Sequence, residues 1–529
     1  MKIEQLYIKD FKNLKKFSID FDKKALTTVI VGRNATGKSN LMEALVTIFR
    51  DLDLEPEAGS EFTYQLSYSI RDKIVVIDSD RSRSTGKVTV SIDSGKPQSA
   101  KILRDNSQSL LPKTVFAYYS GDSNRLEHLF DQHLLNFRNA MIEGDINARP
   151  RLIYGRLIHS QFALLSFFSE KDQDALSFLA EELGILDLQS VLFVLNQPHW
   201  ARSKKQSVST GGDPRFWGAR GVVSEFLSRL YKKALAPLRL SQKVKTQIGS
   251  TSSQEHLYLF LKDKPALEDL VASIAEIGEI NEAGAFFRTL ESAYVSDLIP
   301  ETRIRVEKRN LDDGITFREL SEGEQQLLMV LGLLRFTKNE ESLFLLDEPD
   351  THLNPAWGQR YLKLIKRAVG PYPSSQIIMA THDPLVFSGL TRNEVRIIAQ
   401  KDEGGEIEAI VPTIDPKGLG VAGILMSEFY DLPSQLDIET QETMEERTRL
   451  LAKGEKRTPK ETEKMRELTN EISNLGFTKI FRDPLYTQFV QAMAKREEFT
   501  KPKLTQKDID AQEEIAAQIL ENIFKKEGK

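Results

Sequence analysis

Between Gly32 and Asn40 the chain reads Gly-Arg-Asn-Ala-Thr-Gly-Lys-Ser-Asn, residue types suited to holding a nucleoside triphosphate. Gly32, Arg33, Asn34, Ala35, Thr36, Gly37, Lys38 and Ser39 fit the spacing G-x-x-x-x-G-K-[ST]. In such a turn the glycines let backbone N–H groups point inward around phosphates at a helix start. The lysine reaches the β- and γ-phosphates, and the serine hydroxyl ligates magnesium. An apolar strand, Thr28 to Val31, precedes the turn, and the helical run LMEALVTIF follows Asn40. A glycine-rich turn with an exposed lysine is the plainer alternative, which the full pattern in a strand-to-helix setting disfavours.

A second cluster lies far along the chain, at Leu345-Leu346-Asp347-Glu348-Pro349. At the tip of an apolar strand Asp347 is expected to hold the magnesium shell, and Glu348 to accept a proton from the attacking water. Alone, two acids at a strand end are as well read as solvent-facing residues; a phosphate turn in the same chain favours the chemical reading. Ser321, Gly323 and Glu324, in LSEGEQQ, come just before the apolar helix LLMVLGLL and make another helix N-terminus suited to an anion. Thr381-His382-Asp383 follows the last apolar strand, where His382 is placed to contact a γ-phosphate. Capped helices and loop histidines are common individually, so the order and spacing of the four segments carry the information.

The elements that must position them follow from periodicity. From Met1 to about Ser120 the pattern is mostly period-two, as in Phe62, Tyr64, Leu66, Tyr68 and Ile70, which predicts a largely antiparallel β lobe around the phosphate turn. From about Arg125 to Thr316 helical periodicity dominates, with two strands expected at VLFVLN and HLYLFL. LFLLDE and IIMATHD are continuous apolar runs, as central parallel strands buried on both faces require. A hairpin is expected around Gly404 and Gly405. The charged remainder from about Leu432 is helical, with Thr458-Pro459-Lys460-Glu461 as a capping box and Gly476 as a stop. The fold expected is thus α/β, with boundaries at 1–124 for the phosphate-turn lobe, 125–316 for a mainly helical insert, 317–431 for the second catalytic lobe and 432–529 for a charged helical tail.

Composition removes several function classes. No cysteine is present, so disulfides, thiolate zinc sites and cysteine nucleophiles are excluded, and the seven histidines form no close metal-type pair. No stretch approaches the roughly 20 uncharged apolar residues of a membrane span, and MKIEQLYIKDF is no signal peptide, so a cytoplasmic protein without a membrane partner is expected. A net charge of −5 gives no global push toward nucleic acid, which leaves only a local patch for that role.

Taken together, GRNATGKS, LSEGEQQ, FLLDEP, DTHLNP and ATHD resemble the five ordered motifs of the ABC ATPase head, in the branch of chromosome-maintenance and repair heads (SMC, RecF, RecN) and OLD-like ATPases. The opening IEQLYIKDFKNLKKFSIDF is similar to that branch as well. The resemblance implies that Lys38, Ser39 and Asp347 bind ATP and Mg2+, that Glu348 is the catalytic base and His382 the switch histidine, and that Asp350 begins the D-loop. It also implies a head-to-tail homodimer in which Ser321, Gly323 and Glu324 of one subunit complete the ATP site of another. YYSGDSNRL, at 118–126, lies where a Q-loop belongs and lacks its glutamine.

Trp200 to Arg220 is the nucleic-acid candidate, with Arg202, Lys204, Lys205, Arg215 and Arg220 for phosphates and Trp200, Phe216 and Trp217 for stacking. A solvated loop whose aromatics pack against the insert is an equal alternative. The layout, and GLGVAGILMSEFYDLPSQLD after the core, resemble the ATPases of bacterial antiphage defence, including those of Septu-type and retron-linked systems. That family pairs the ATPase with a separate nuclease, often of His-Asn-His type, which implies such a partner and, as a further one, DNA or a retron-derived nucleic acid; the charged tail from about Asp437 is then a docking surface or, equally, a solvated helical hairpin that stabilises the core. Glu408 with Asp415-Pro416-Lys417 reads better as an acidic turn than as a nuclease centre. A RecF-like repair clamp without a nuclease is the competing expectation.

Overall fold

The computed structural model describes residues 1–475, apart from 105–108, 145–150, 171–172, 202–211, 248–249, 276–281, 338–340, 370–374 and 402–404, together with 489, 493, 512 and 515–520. Arg202, Lys204, Lys205, Gly404 and Gly476 lie outside the described residues. The chain forms two compact units, Met1–Asp431 and Leu432–Lys529.

The first unit opens with β1 (Lys2–Phe11), β2 (Leu14–Asp20), β3 (Thr27–Val31) and α1 (Lys38–Leu54). It continues through β4 (Tyr64–Ile70), β5 (Lys73–Ser79), β6 (Val88–Ile92), β7 (Gln98–Ser99) and β8 (Thr114–Tyr119). The insert runs α2 (Asp131–Glu143), β9 (Leu152–Tyr154), α3 (Leu157–Ser169), α4 (Gln173–Glu182), β10 (Ile185–Asn196), α5 (Gly221–Lys233), β11 (Leu238–Gln247), β12 (Ser250–Leu261), α6 (Lys264–Ala275), α7 (Glu282–Val295), β13 (Glu301–Lys308) and β14 (Ile315–Thr316). The chain then returns as α8 (Glu322–Thr337), β15 (Ser342–Asp347), α9 (Pro355–Val369), β16 (Gln376–Ala380), α10 (Pro384–Phe387), β17 (Val395–Gln400), β18 (Ile407–Ile410) and α11 (Gly420–Leu425).

Three sheets result. The central one has the order β18-β17-β3-β16-β15-β8-β9, parallel throughout except for the β17/β18 hairpin. β3, β15 and β16 are buried along their whole length, as their apolar sequences require. Their alternate residues feed separate cores. Val29, Val31, Phe344, Leu346, Ile377 and Met379 face the core shared with α3, α8 and α9, while Ile30, Leu343, Leu345, Ile378 and Ala380 face the core shared with α1 and the antiparallel lobe. That lobe is a six-stranded antiparallel sheet, β2-β1-β4-β5-β6-β7, whose β4 buries Tyr64, Leu66, Tyr68 and Ile70 on one face.

The stretch 125–316, expected to be mainly helical, also carries a five-stranded antiparallel sheet, β11-β12-β10-β13-β14. β10 and β12 contain the two apolar runs expected as strands. Their partners carry no such signal, because β11 and β13 alternate apolar residues with charged or polar ones, in LRLSQKVKTQ and ETRIRVEK, and so lack an apolar run. The second unit contains α12 (Ile438–Ala452) and α13 (Pro459–Asn474), and Thr458 with Glu461 forms the capping box in front of Pro459. Among the described residues, no helix is long and apolar enough to cross a membrane.

Candidate active site

Register brings the chemistry to one edge of the central sheet. Tyr119 pairs with Asp347, Asp347 with Ala380, and Ala380 with Ile30. The residues that follow each strand, Ser120, Glu348, Thr381 and the Gly32 turn, therefore emerge side by side at the carboxyl ends of parallel strands, where α/β sheets bind ligands.

The Gly32 turn is shaped by contacts that exclude side chains. A Cβ on Gly32 would meet the Ile398 carbonyl oxygen at 2.2 Å, and one on Gly37 would meet Asn13 Oδ1 at 2.8 Å. Gly37 sits at φ 101°, left-handed backbone that favours glycine, and leads into α1. Lys38 Nζ is folded onto the turn itself, donating to the carbonyl oxygens of Gly32 at 2.8 Å and Arg33 at 3.2 Å. Burial lowers its pKa, opposed by the charges of Glu348 and Asp347. Thr36 Oγ1 donates to the Arg33 carbonyl, whereas Arg33, Asn34 and Ala35 are exposed.

Asp347 is fully buried, and neither carboxylate oxygen has a hydrogen bond of full geometry. Burial pushes its pKa up to about 6, against the favourable pull of the Ser39 hydroxyl and of the Arg125 and Lys38 charges. A buried carboxylate left open beside a serine hydroxyl and a lysine fits a bound Mg2+ with ATP, since a divalent cation would supply the missing partner.

Glu348 leaves the strand at φ 54°, a strained conformation for a non-glycine residue, and its N–H bonds the Ala380 carbonyl at 2.9 Å. Its Oε1 accepts from His382 Nε2 at 2.6 Å, and that bond is the main cause of its lowered pKa. An ionised carboxylate only accepts, so Nε2 carries the hydrogen. Both side chains are about one-third exposed, open to a water and a ligand. Asp350 is buried and accepts from Thr381 Oγ1 at 2.7 Å; burial raises its pKa to about 6.

At the start of α8, Ser321 and Glu324 cap one another: Glu324 Oε2 accepts from the Ser321 N–H at 2.8 Å and from its hydroxyl at 3.0 Å. Lys308 holds the other Glu324 oxygen at 2.6 Å. Glu324 is thus spent on its own helix, while Ser321 is exposed. A Cβ on Gly323 would meet the His352 carbonyl oxygen at 2.5 Å, which packs this helix end against the segment after Asp350.

Four residues at the site were not singled out from the sequence. Asn13 Nδ2 donates to the Ala35 carbonyl at 3.0 Å, and Arg125 reaches Asn40 and Glu43. The Tyr430 hydroxyl donates to the His382 carbonyl, and Asp431 pairs with Arg33 at 3.3 Å. All four lie in segments already notable for resemblance, but no motif marks the individual residues.

The basic, aromatic segment has a different character. Trp200 Nε1 donates to the Ser296 carbonyl at 2.9 Å and Trp217 Nε1 to Glu255 at 2.7 Å; both rings pack on the core, and Phe216 is fully buried. Arg215 is paired with Asp213 at 2.6 Å, and Arg220 stands at the start of α5. The described aromatics therefore take part in the packing of the insert, the alternative weighed equally with a stacking surface, while Trp200 and Trp217 stay partly exposed.

Residues 1–106 match the family described as "AAA ATPase domain", and residues 188–388 match "AAA domain, putative AbiEii toxin, Type IV TA system". The Septu protein PtuA of Bacillus mycoides is 32% identical over 123 residues, which span 22% of this chain and only 16% of that protein. The "Retron Vc95 probable ATPase" of Vibrio cholerae is 20% identical over 443 residues, covering 80% of this chain and 78% of that one. A solved SMC head domain from Thermotoga maritima covers 78% of this chain and all of its own, at 15% identity and a TM-score of 0.33.

Proposed function

We propose that this chain, an AAA-type ATPase related to antiphage-defence proteins, is an ABC-type ATPase of the SMC/RecF-like branch and the ATP-driven clamp of a cytoplasmic defence complex. In this reading two copies close head to tail on two ATP molecules and control a separate nuclease of His-Asn-His type. DNA or a retron-derived nucleic acid acts as the trigger, and this chain cuts nothing itself.

The observation that carries the reading is the open, buried Asp347 beside the Lys38 turn, with the His382–Glu348 pair at the same sheet edge. The turn N–H groups and Lys38 bind the phosphates, and Ser39 and Asp347 hold the metal. Glu348 takes a proton from the attacking water, and His382 orients Glu348. Mg2+, when bound with ATP, offsets the negative charge that develops on the phosphates. The exposed Ser321 at the start of α8 supports completion of the site by a second copy, because a helix N-terminus facing solvent is available to a phosphate from outside its own chain. Closing would then be a population shift, driven by contacts present only with ATP bound.

The test is to express the tagged chain with its neighbouring open reading frames and identify what co-elutes with and without ATP. A stoichiometric small nuclease supports the proposal. A bare dimer that binds DNA only with ATP favours the RecF-like repair clamp instead.

A further inference from the structure

We propose that Arg125 is a positioning residue for the ATP site, holding the first turn of α1 and, through two asparagines, the apex of the phosphate turn. The chain of contacts is continuous. Arg125 Nη2 donates to Asn40 Oδ1 at 2.5 Å and to Glu43 Oε2 at 2.9 Å. Asn40 Nδ2 donates to Asn13 Oδ1 at 2.6 Å, and Asn13 Nδ2 to the Ala35 carbonyl at 3.0 Å. Ala35 sits at φ 65°, which a residue with a Cβ holds only when its surroundings enforce it.

The position of Arg125 follows from the fold. Its turn leaves β8 at Tyr119, the partner of Asp347, and the Ser120 N–H bonds the Asp347 carbonyl at 3.2 Å. One short segment thus begins at the metal-side strand and ends on α1, directly after Lys38 and Ser39. Two residues on, Glu127 accepts from Arg156 of the insert at 2.9 Å, so the same segment joins the insert to the phosphate turn.

A bland alternative exists, and it is testable. Glu43 is nearly buried, with its carboxylate met by Arg125 and Lys12, so Arg125 would be needed merely to neutralise it. The two roles separate in a double variant. Glu43→Gln removes the charge that Arg125→Ala would leave to Lys12 alone, while leaving Asn40 unheld.

The experiment measures the affinity of the full chain for a non-hydrolysable ATP analogue with Mg2+, and its thermal midpoint, in Arg125→Ala, Arg125→Ala/Glu43→Gln and Lys38→Ala. Positioning partners of a metal site are worth about 10- to 100-fold in affinity, and we expect a loss of that size in both Arg125 variants, although the double variant recovers the thermal midpoint. A double variant that binds the analogue as tightly as the unchanged chain overturns the proposal. The proposal rests on the ATP site itself, which Lys38→Ala tests separately: unchanged binding there would remove the site and the role of Arg125 with it.

Discussion

His382 Nε2 lies 2.6 Å from Glu348 Oε1, and the two residues reach each other from adjacent parallel strands whose last paired residues are Ala380 and Asp347. The pair is held from behind, because Tyr430 donates to the His382 carbonyl and stacks on Phe387 with ring centroids 6.3 Å apart. Glu348 thus has a fixed direction despite its exposure. His382→Ala is expected to lower the ATP turnover rate by about 100-fold, at the low end for loss of a proton-transfer arrangement, with ATP affinity little changed. Steady-state hydrolysis alongside equilibrium binding checks this; a matching loss of affinity would make His382 a ligand-binding residue only.

Asp347 links catalysis to stability. Its pKa rises from 3.8 in the unfolded chain to about 6 in the fold, so the folded state holds the proton more tightly. Without ligand, the wild-type chain should lose stability as pH rises from about 4 to about 6, and carry the full penalty above that. Asp347→Asn removes the penalty. It should stabilise the ligand-free protein at pH 7.5 by about 2 to 3 kcal/mol, at 1.36 kcal/mol per pKa unit, and flatten this part of the pH profile while abolishing hydrolysis. Denaturant unfolding across that pH range checks both parts, and a variant less stable than the parent at pH 7.5 would contradict them.

Gly323 is a packing requirement at the proposed interface. Gly323→Ala places a Cβ 2.5 Å from the His352 carbonyl oxygen, a backbone atom that cannot swing aside. Either the start of α8 or the segment after Asp350 must shift. The expected result is ATP binding close to that of the parent with much reduced ATP-dependent self-association, measured by titration and light scattering.

Trp217 separates folding from nucleic-acid binding. Its ring packs on the core, its Nε1 bonds Glu255, and the Arg239 guanidinium lies 5.2 Å from its centroid. Trp217→Ala should cost about 3 kcal/mol of stability, the usual scale for truncating a packed aromatic. Thermal unfolding measures this; an unchanged midpoint with weakened DNA binding would restore the stacking role.

The parts of the site that were legible in the sequence are those whose physics is local. Gly32 is a glycine because the Ile398 carbonyl leaves no room for a Cβ and Gly37 because its backbone is left-handed, and Asp347 ends an apolar run of strand length. What stayed hidden depends on register between distant segments. Arg125 matters because β8 pairs with β15, and Tyr430 because α10 brings Phe387 beneath it; neither relation leaves a spacing in the chain. β13 leaves no apolar run because its solvent face is charged, and in Trp200 to Arg220 the sequence alone does not separate stacking aromatics from packed ones, since the bonds of Trp200 to Ser296 and of Trp217 to Glu255 join distant segments.

The proposed clamp requires ATP to close two copies of this chain around sites completed by Ser321. Glu348→Gln should bind ATP and Mg2+ without turning ATP over, so its molar mass by light scattering, with and without ATP, is the most direct measurement. A monomer-sized species is expected without ATP and a stable dimer with it, lost when Ser321→Arg is added. A mass that does not respond to ATP, in a variant shown to bind it, would contradict the clamp.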